Sequence, residues 1–366
     1  MLSVRSLSLV HFKNYVSRQF TFPGRIVCIS GSNGSGKTSL LDAIHFLCFT
    51  KSYFLHTDAL HVTQGRQGFR LQAEFVSQEK PHSLVCILRE NGKKEFRVDE
   101  EAYTQFSKHI GRFTCVMIAP DDTQLITEGS EERRKFLDAM ISQTNAEYMQ
   151  QLILYNRYLQ QRNALLKSWS KGDERDYSLL GIYNQQLSNL AHPIANTRQA
   201  FCAHYAEKVL AIYSQLSEEK ERIQLTYGTR LLDHSLVALL EQHVEKDIFS
   251  QRTNYGIHKD DLVFLLNGMP MKQAASQGQR KSFLFALKLA QYEMIEELNH
   301  QQPLLLLDDI FEKLDALRSQ KLIEYVQKSK SQVFITDTHP ERLQEAFAES
   351  DGVTFLTIKN ETDISR

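Results

Sequence analysis

Hydrophobic positions along this chain follow different periods in successive blocks. Phe69, Leu71, Ala73 and Phe75 alternate with Arg70, Gln72 and Glu74, the period of a half-buried strand. Residues 83–88 and 95–98, joined across Asn91-Gly92, predict a hairpin after it. Residues 7–10 and 20–22 are short strand-like runs, expected beside residues 26–30 as an antiparallel pair. By contrast, 26–30, 114–118, 303–307 and 333–335 are continuous apolar runs, as in strands covered on both faces. Residues 261–266 and 353–358 complete the expected strands.

From Glu131 to about Val244 the period turns helical. Leu152, Tyr155, Leu159, Leu165 and Leu166 mark one long amphipathic helix, and 179–209 another, interrupted at Pro193. A strongly apolar helix follows over 283–298, and a further one over 315–327. The pattern therefore predicts an α/β chain in three blocks. Residues 1–130 and 251–366 are two halves of one α/β domain, and 131–250 is a mostly helical insertion, compact over 145–250. No internal repeat or low-complexity tract is present.

Composition narrows the class. The hydrophobic share of 42% and charged share of 24% are those of an ordinary soluble globular protein. No apolar run approaches the roughly 18 residues that span a bilayer, and the N-terminus lacks the apolar core of a secretion signal. Cys28, Cys48, Cys86, Cys115 and Cys202 sit in apolar surroundings with no C-x-x-C pair, so they read as reduced core thiols in a cytoplasmic protein. The net charge of −1 gives no global field for nucleic acid, so any such contact must come from a local patch.

The chemistry is concentrated in Gly31-Ser32-Asn33-Gly34-Ser35-Gly36-Lys37-Thr38, a G-x-x-x-x-G-K-[ST] loop between the 26–30 strand and a helix. Glycines let successive N–H groups curl around phosphate oxygens, and the helix N-terminus adds partial positive charge. Lys37 reaches the β- and γ-phosphates, and the Thr38 hydroxyl ligates Mg²⁺. The run 304–307 ends in Asp308-Asp309, as expected of the acidic strand that accompanies such a loop. Asp308 is expected to hold Mg²⁺, and Asp309 to orient or deprotonate the attacking water. Ser276-Gln277-Gly278-Gln279-Arg280 opens a helix before that strand. Alone it reads as an ordinary N-cap. In this order it resembles the signature motif of ABC-type ATPases, and 312–315, ending at Asp315, resembles their D-loop.

More of the chain points one way. Phe12-Lys13-Asn14-Tyr15, Leu41-Asp42-Ala43-Ile44, Pro120-Asp121-Asp122, Arg133–Asp138, Gln161–Leu166 and Gly256–Leu262 are similar to bacterial RecF recombination-repair proteins, over almost the whole length. Ile257 and Lys259 depart from that family's usual proline and arginine. The resemblance implies an ABC-type ATPase head, a P-loop mixed sheet with an antiparallel β subdomain, plus a mostly helical arm. It implies ATP and Mg²⁺ as cofactors and a homodimer closed by ATP. Ser276, Gly278, Gln279 and Asp315 of one copy would meet the nucleotide of the other. It also implies binding to double-stranded and gapped DNA, work with RecR, RecO and RecA, and slow, DNA-stimulated hydrolysis. Asp309, one methylene shorter than the glutamate common in ABC enzymes, fits a poor base. Gln124 is the nearest match to the Mg²⁺-contacting glutamine of transporters. His339 lies slightly beyond the place of a γ-phosphate sensor, and equally fits a surface histidine before Pro340.

Arg133, Arg134 and Lys135 are the DNA-contact candidates, since cations near a helix start are otherwise unfavourable; Arg162 and Lys167 are weaker ones. The alternative for the first three is a solvated face paired to Glu131, Glu132 and Asp138. Near-neutral net charge implies modest, salt-sensitive binding. Two other ABC-type readings fit less well. A transporter subunit calls for a far shorter insertion and a glutamine loop. A structural-maintenance coiled-coil protein calls for long heptad arms, which 131–250 cannot supply.

Overall fold

The computed structural model describes residues 1–55, 57–169, 174–216, 221–311 and 316–359. Its strands begin with β1 (Ser3–Phe12), β2 (Tyr15–Thr21), β3 (Ile26–Ser30), β4 (Phe69–Ser77), β5 (Lys80–Leu88), β6 (Lys94–Val98), β7 (Glu101–Ala102) and β8 (Cys115–Ile118). After them come β9 (Ile223–Gly228), β10 (Asp261–Leu266), β11 (Met269–Pro270), β12 (Leu304–Leu307), β13 (Val333–Asp337) and β14 (Val353–Thr357). Two compact units result, residues 1–123 with 281–366, and residues 124–280. This division departs from the boundaries expected at 130 and 250. β10 pairs with β9 from Asp261↔Gly228 to Leu266↔Ile223, which keeps residues 251–280 with the helical unit.

In the first unit the continuous apolar runs, with β14 added at one edge, form one parallel sheet, ordered β14-β3-β13-β12-β8. Every position of β3, β8, β12 and β13 is buried, which is why these strands run apolar rather than alternating, with polar residues only at the C-terminal ends of β3 and β13. The alternating strands form a second, antiparallel sheet, ordered β2-β1-β4-β5-β6-β7. In β4 burial itself alternates, Phe69, Leu71, Ala73 and Phe75 in, Arg70, Gln72 and Glu74 out. The early strands are therefore not neighbours of β3. β1 and β2 pair with each other, and β3 lies between β13 and β14, both parallel to it. Helix Lys37–Phe49 touches strands of both sheets, so it is buried on nearly every side and carries apolar residues almost all round.

The second unit is built on helices Ser130–Ser142, Ala146–Trp169 and Tyr177–Leu216, with the three-stranded sheet β11-β10-β9. The helix 177–216 runs unbroken through Pro193. Pro193 and Asn189, whose carbonyl loses its donor, are both exposed, so water can serve that carbonyl and the expected break does not form. Strand β9 escaped the periodicity, because Ile223, Leu225 and Tyr227 form too short an alternation beside a long helix. No described helix is long and apolar enough to cross a membrane.

Two fully buried arginines tie this unit together. Arg162 pairs with Asp247 at 2.8 Å and donates to Asn184 Oδ1 and Thr253 Oγ1, both at 2.7 Å. Arg198 donates to Asp138 at 2.7 Å and to the Ile257 carbonyl at 2.9 Å. Arg162 is thus a structural residue, and the DNA role expected of it is ruled out by its 0% exposure. Arg162→Leu strands the buried Asp247 carboxylate and is expected to cost about 3–5 kcal/mol by denaturant unfolding; a loss below about 1 kcal/mol would contradict this account. Burial pushes His45, His109 and His258 down to about 4 from the ordinary 6.5. The folded chain keeps these rings neutral, so their contribution is complete above pH 6.5 and is lost as pH falls toward 4. The urea midpoint is expected to drop between pH 7 and pH 4.5, and the drop to shrink in His109→Gln.

Candidate functional site

The phosphate loop follows β3 into helix Lys37–Phe49 as the sequence predicts. Gly34 and Gly36 take φ of 78° and 112°, and at Gly36 a Cβ would lie 2.7 Å from the Tyr15 hydroxyl. That hydroxyl donates to the Gly36 carbonyl at 3.0 Å, and Asn14 Nδ2 donates to the Gly34 carbonyl at 3.3 Å. The β1–β2 turn thus grips the loop from outside. Lys37 Nζ donates to the Gly31 and Ser32 carbonyls at 2.7 and 3.1 Å, which draws the loop closed around its side chain.

The parallel sheet brings the acidic strand to the same end. Asp308 follows β12, and Thr38 Oγ1 donates to its two carboxylate oxygens at 3.0 and 2.9 Å. β13 lies between β12 and β3, and its Thr336 hydroxyl donates to Asp308 Oδ1 at 2.9 Å. The same Thr336 oxygen accepts the Asp309 N–H at 2.8 Å. One hydroxyl therefore positions both aspartates. Burial pushes Asp308 above the ordinary carboxylate value, opposed by the two threonine hydroxyls and by Lys37. Asp309 takes a left-handed φ of 47°, an unusual conformation that aspartate tolerates better than most residues.

A cleft of about 260 Å³ opens here, lined by Lys13, Asn14, Gly34, Lys37, Thr38 and Asp309, among others. Thr38 lines it, and the Thr38 hydroxyl bonded to the Asp308 carboxylate makes a hard oxygen pair beside it. Mg²⁺ is commonly held by one or two carboxylates completed by phosphate and water oxygens, so this donor set fits it. A cation there would also relieve the desolvation of Asp308.

Lys13, Asn14, Tyr15 and Thr336 carry roles that sequence reasoning had not given them. Lys13 Nζ pairs at 2.6 Å with the fully buried Asp42, which also accepts from Ser52 Oγ and the Tyr53 N–H. The first three sat in a motif already noted; Thr336 stood only as a polar residue ending an apolar run. Other expected residues lie elsewhere. Asp315 falls outside the described residues. Ser276, Gly278 and Gln279 belong to the second unit, where the Ser276 N–H donates to Gln279 Oε1 at 2.6 Å and the Gln279 N–H to Ser276 Oγ at 3.2 Å, a reciprocal capping box at a helix start. Gln124 is exposed at the start of helix Gln124–Thr127. His339 is 59% exposed at the N-cap position of helix Pro340–Phe347, beside Asp337, and is not among the residues lining the cleft.

The three cations offered for DNA are engaged within the second unit. Arg133 makes a bidentate pair with Asp261 at 2.8 and 2.9 Å, Arg134 donates to the Asp260 carbonyl at 2.7 Å, and Lys135 pairs with Glu131 and Glu132. Asp261 and Asp260 lie far along the chain, so only folding could reveal these partners.

Comparison with known proteins agrees with the geometry. A family model described as the RecF/RecN/SMC N terminal domain matches residues 3–362. The DNA replication and repair protein RecF of Flavobacterium johnsoniae is 40% identical over 355 residues, 97% of this chain and 99% of that protein. A solved structure of the recombination mediator protein RecF with ATP, in the RecFOR pathway, superposes with a TM-score of 0.87 at 26% identity, covering 92% of each chain. A second, of RecF with ATPrS, shares the fold with a TM-score of 0.88 at 24% identity, over 98% of this chain and 96% of that one. Matched over residues 3–362 by the family model and over 97% of its length by a RecF protein at 40% identity, the chain belongs to the RecF family.

Proposed function

We propose that this chain is an ATP-dependent DNA-binding protein of recombinational gap repair. The observation that carries the reading is the junction of Thr38, Asp308 and Thr336 under the phosphate loop, in a chain whose relatives bear the RecF name. ATP is held by the N–H groups of 31–38 and by Lys37. Thr38 and Asp308 hold Mg²⁺, which on binding neutralises charge on the phosphate oxygens. Asp309 orients the attacking water and takes its proton as the new bond to the γ-phosphorus forms and ADP leaves. The left-handed backbone and the Thr336 bond to its N–H hold the main chain from which this short carboxylate projects, in keeping with slow hydrolysis.

In the same reading ATP acts mainly as a clamp. Ser276, Gly278 and Gln279 at an exposed helix start, with Asp315, close over nucleotide held by a second copy. The ATP-bound dimer binds duplex DNA near single-strand gaps and, with RecR and RecO, assists RecA loading. Hydrolysis then resets it, and the work takes place in the cytoplasm.

The decisive experiment is sedimentation of the purified chain with ATP, ADP or neither, alongside hydrolysis rates with and without gapped DNA. ATP alone is expected to give the dimer, and gapped DNA to raise the rate; an assembly state indifferent to ATP would sink the clamp. Lys37→Ala is expected to abolish productive ATP binding. Asp309→Asn should accumulate the ATP-bound dimer, whereas Asp308→Ala should lose Mg²⁺-dependent turnover. Ser276→Arg should block dimerisation yet leave ATP binding by the monomer intact. Thr336→Val removes one hydrogen bond from each aspartate and is expected to lower kcat by roughly 10–100-fold with ATP affinity little changed; unchanged kcat would remove Thr336 from the site.

A further inference from the structure

The helical unit holds a second cleft, of about 490 Å³, whose lining includes Arg230, Lys246, Asn254, Tyr255, Lys259 and Asp261. One wall is the 256–262 stretch, to which the nucleotide reading gives no task. That wall is rigid. Burial keeps the His258 ring neutral, its Nε2–H donates to the Thr253 carbonyl at 2.9 Å, and its Nδ1 therefore accepts from the Tyr155 hydroxyl at 2.8 Å. Gly256, at φ +130°, lets Tyr155 approach to where a Cβ would lie 2.3 Å from its hydroxyl oxygen.

The charge of this cleft is not balanced from within. Of its two carboxylates, Asp261 is engaged bidentately by Arg133, and Asp260 by the Tyr227 hydroxyl and by Arg198 at 3.7 Å. Arg230, Lys246 and Lys259 are all exposed, and among the described residues none of them has a carboxylate partner. The Arg230 and Lys246 charges lie 5.4 and 5.9 Å from the centroid of one ring, Tyr255, which is itself stacked on His243 at 4.4 Å. Cations gathered this way on a chain of net charge −1 repel one another until an anion enters between them. One turn beyond Lys246, on the same short helix, the Phe249 side chain is 90% exposed. Cations with an aromatic ring at their edge match a sugar–phosphate chain, phosphates for the charges and an apolar face for the sugar.

We propose that this cleft holds the sugar–phosphate backbone of duplex DNA, with Arg230, Lys246 and Lys259 on phosphates and Phe249 against the sugars beside them. The proposal rests on the DNA-binding reading above and names the surface that performs it. It also gives Arg133 a task. By occupying Asp261, Arg133 removes a carboxylate that would otherwise repel the backbone.

The test is the affinity of the full chain, with ATP and Mg²⁺, for fluorescent gapped duplex across a salt series. Arg230→Glu, Lys246→Glu and Lys259→Glu are each expected to weaken binding and to lower the log–log salt slope by about 0.9 per lost phosphate contact. Phe249→Ala should weaken binding with the slope unchanged, and Lys80→Glu, on the exposed start of β5, should change neither. ATP binding should be the same in all. A wild-type chain that binds no duplex overturns the DNA reading and the cleft together. Wild-type binding that the cleft variants leave intact overturns the cleft alone. So does a cleft that takes inorganic phosphate, as read by the same variants, while duplex binding stays unchanged.

Discussion

A buried carboxylate at the end of a parallel strand is costly unless hydroxyls, cations or metal surround it, and Asp308 meets that condition from two other strands' ends. Thr38 reaches it from the helix after β3, and Thr336 from β13. This works only because β13 lies between β3 and β12, in a register that sets Leu307 against Ile335 and leaves Asp308 beside Thr336. A slip of one residue would turn the Thr336 hydroxyl to the opposite face and strand the aspartate. The position of the phosphate loop and the backbone of Asp309 both follow from that register.

Around this junction the antiparallel sheet serves as a brace. Its first hairpin places Lys13, Asn14 and Tyr15 against the loop, with Tyr15 and Asn14 holding the carbonyls of Gly36 and Gly34. Lys13 ties the same turn to Asp42 on the helix that the loop begins. Loop, helix and hairpin are thus fastened at three points. Fastened this way, the loop backbone is held in its curved form by the rest of the fold. Glycine at 36 has two reasons at once, a left-handed backbone and the closeness of a phenol ring.

In the helical unit charge is managed by burial. Arg162 and Arg198 sit in the interior with their carboxylates, where losing one partner is far more damaging than losing a surface pair. Arg133 stands at the margin, partly buried on Asp261, which lines the open cleft. The same residue type thus serves packing at 162 and 198 and sets the local potential at 133. Sequence position alone shows none of these partners.

What the residues determined by themselves was local or periodic. The phosphate loop announces itself because backbone curvature demands glycine at fixed spacing, and the acidic strand because four leucines precede Asp308. Strands buried on both faces separated from half-buried ones by pattern, since burial on both faces removes alternation. Four matters were decided only by the tertiary structure. Strand order put Thr336 into the site, although nothing near it in sequence marks a ligand. β9 paired with β10 and moved the unit boundary to 280, because pairing over that distance leaves no periodic trace. Pro193 stayed inside its helix because the lost hydrogen bond faces solvent. Arg133 and Arg134 found Asp261 and the Asp260 carbonyl. A charge shows its sign in the sequence, but its partner, and so its freedom to meet anything else, is fixed only when the chain has folded.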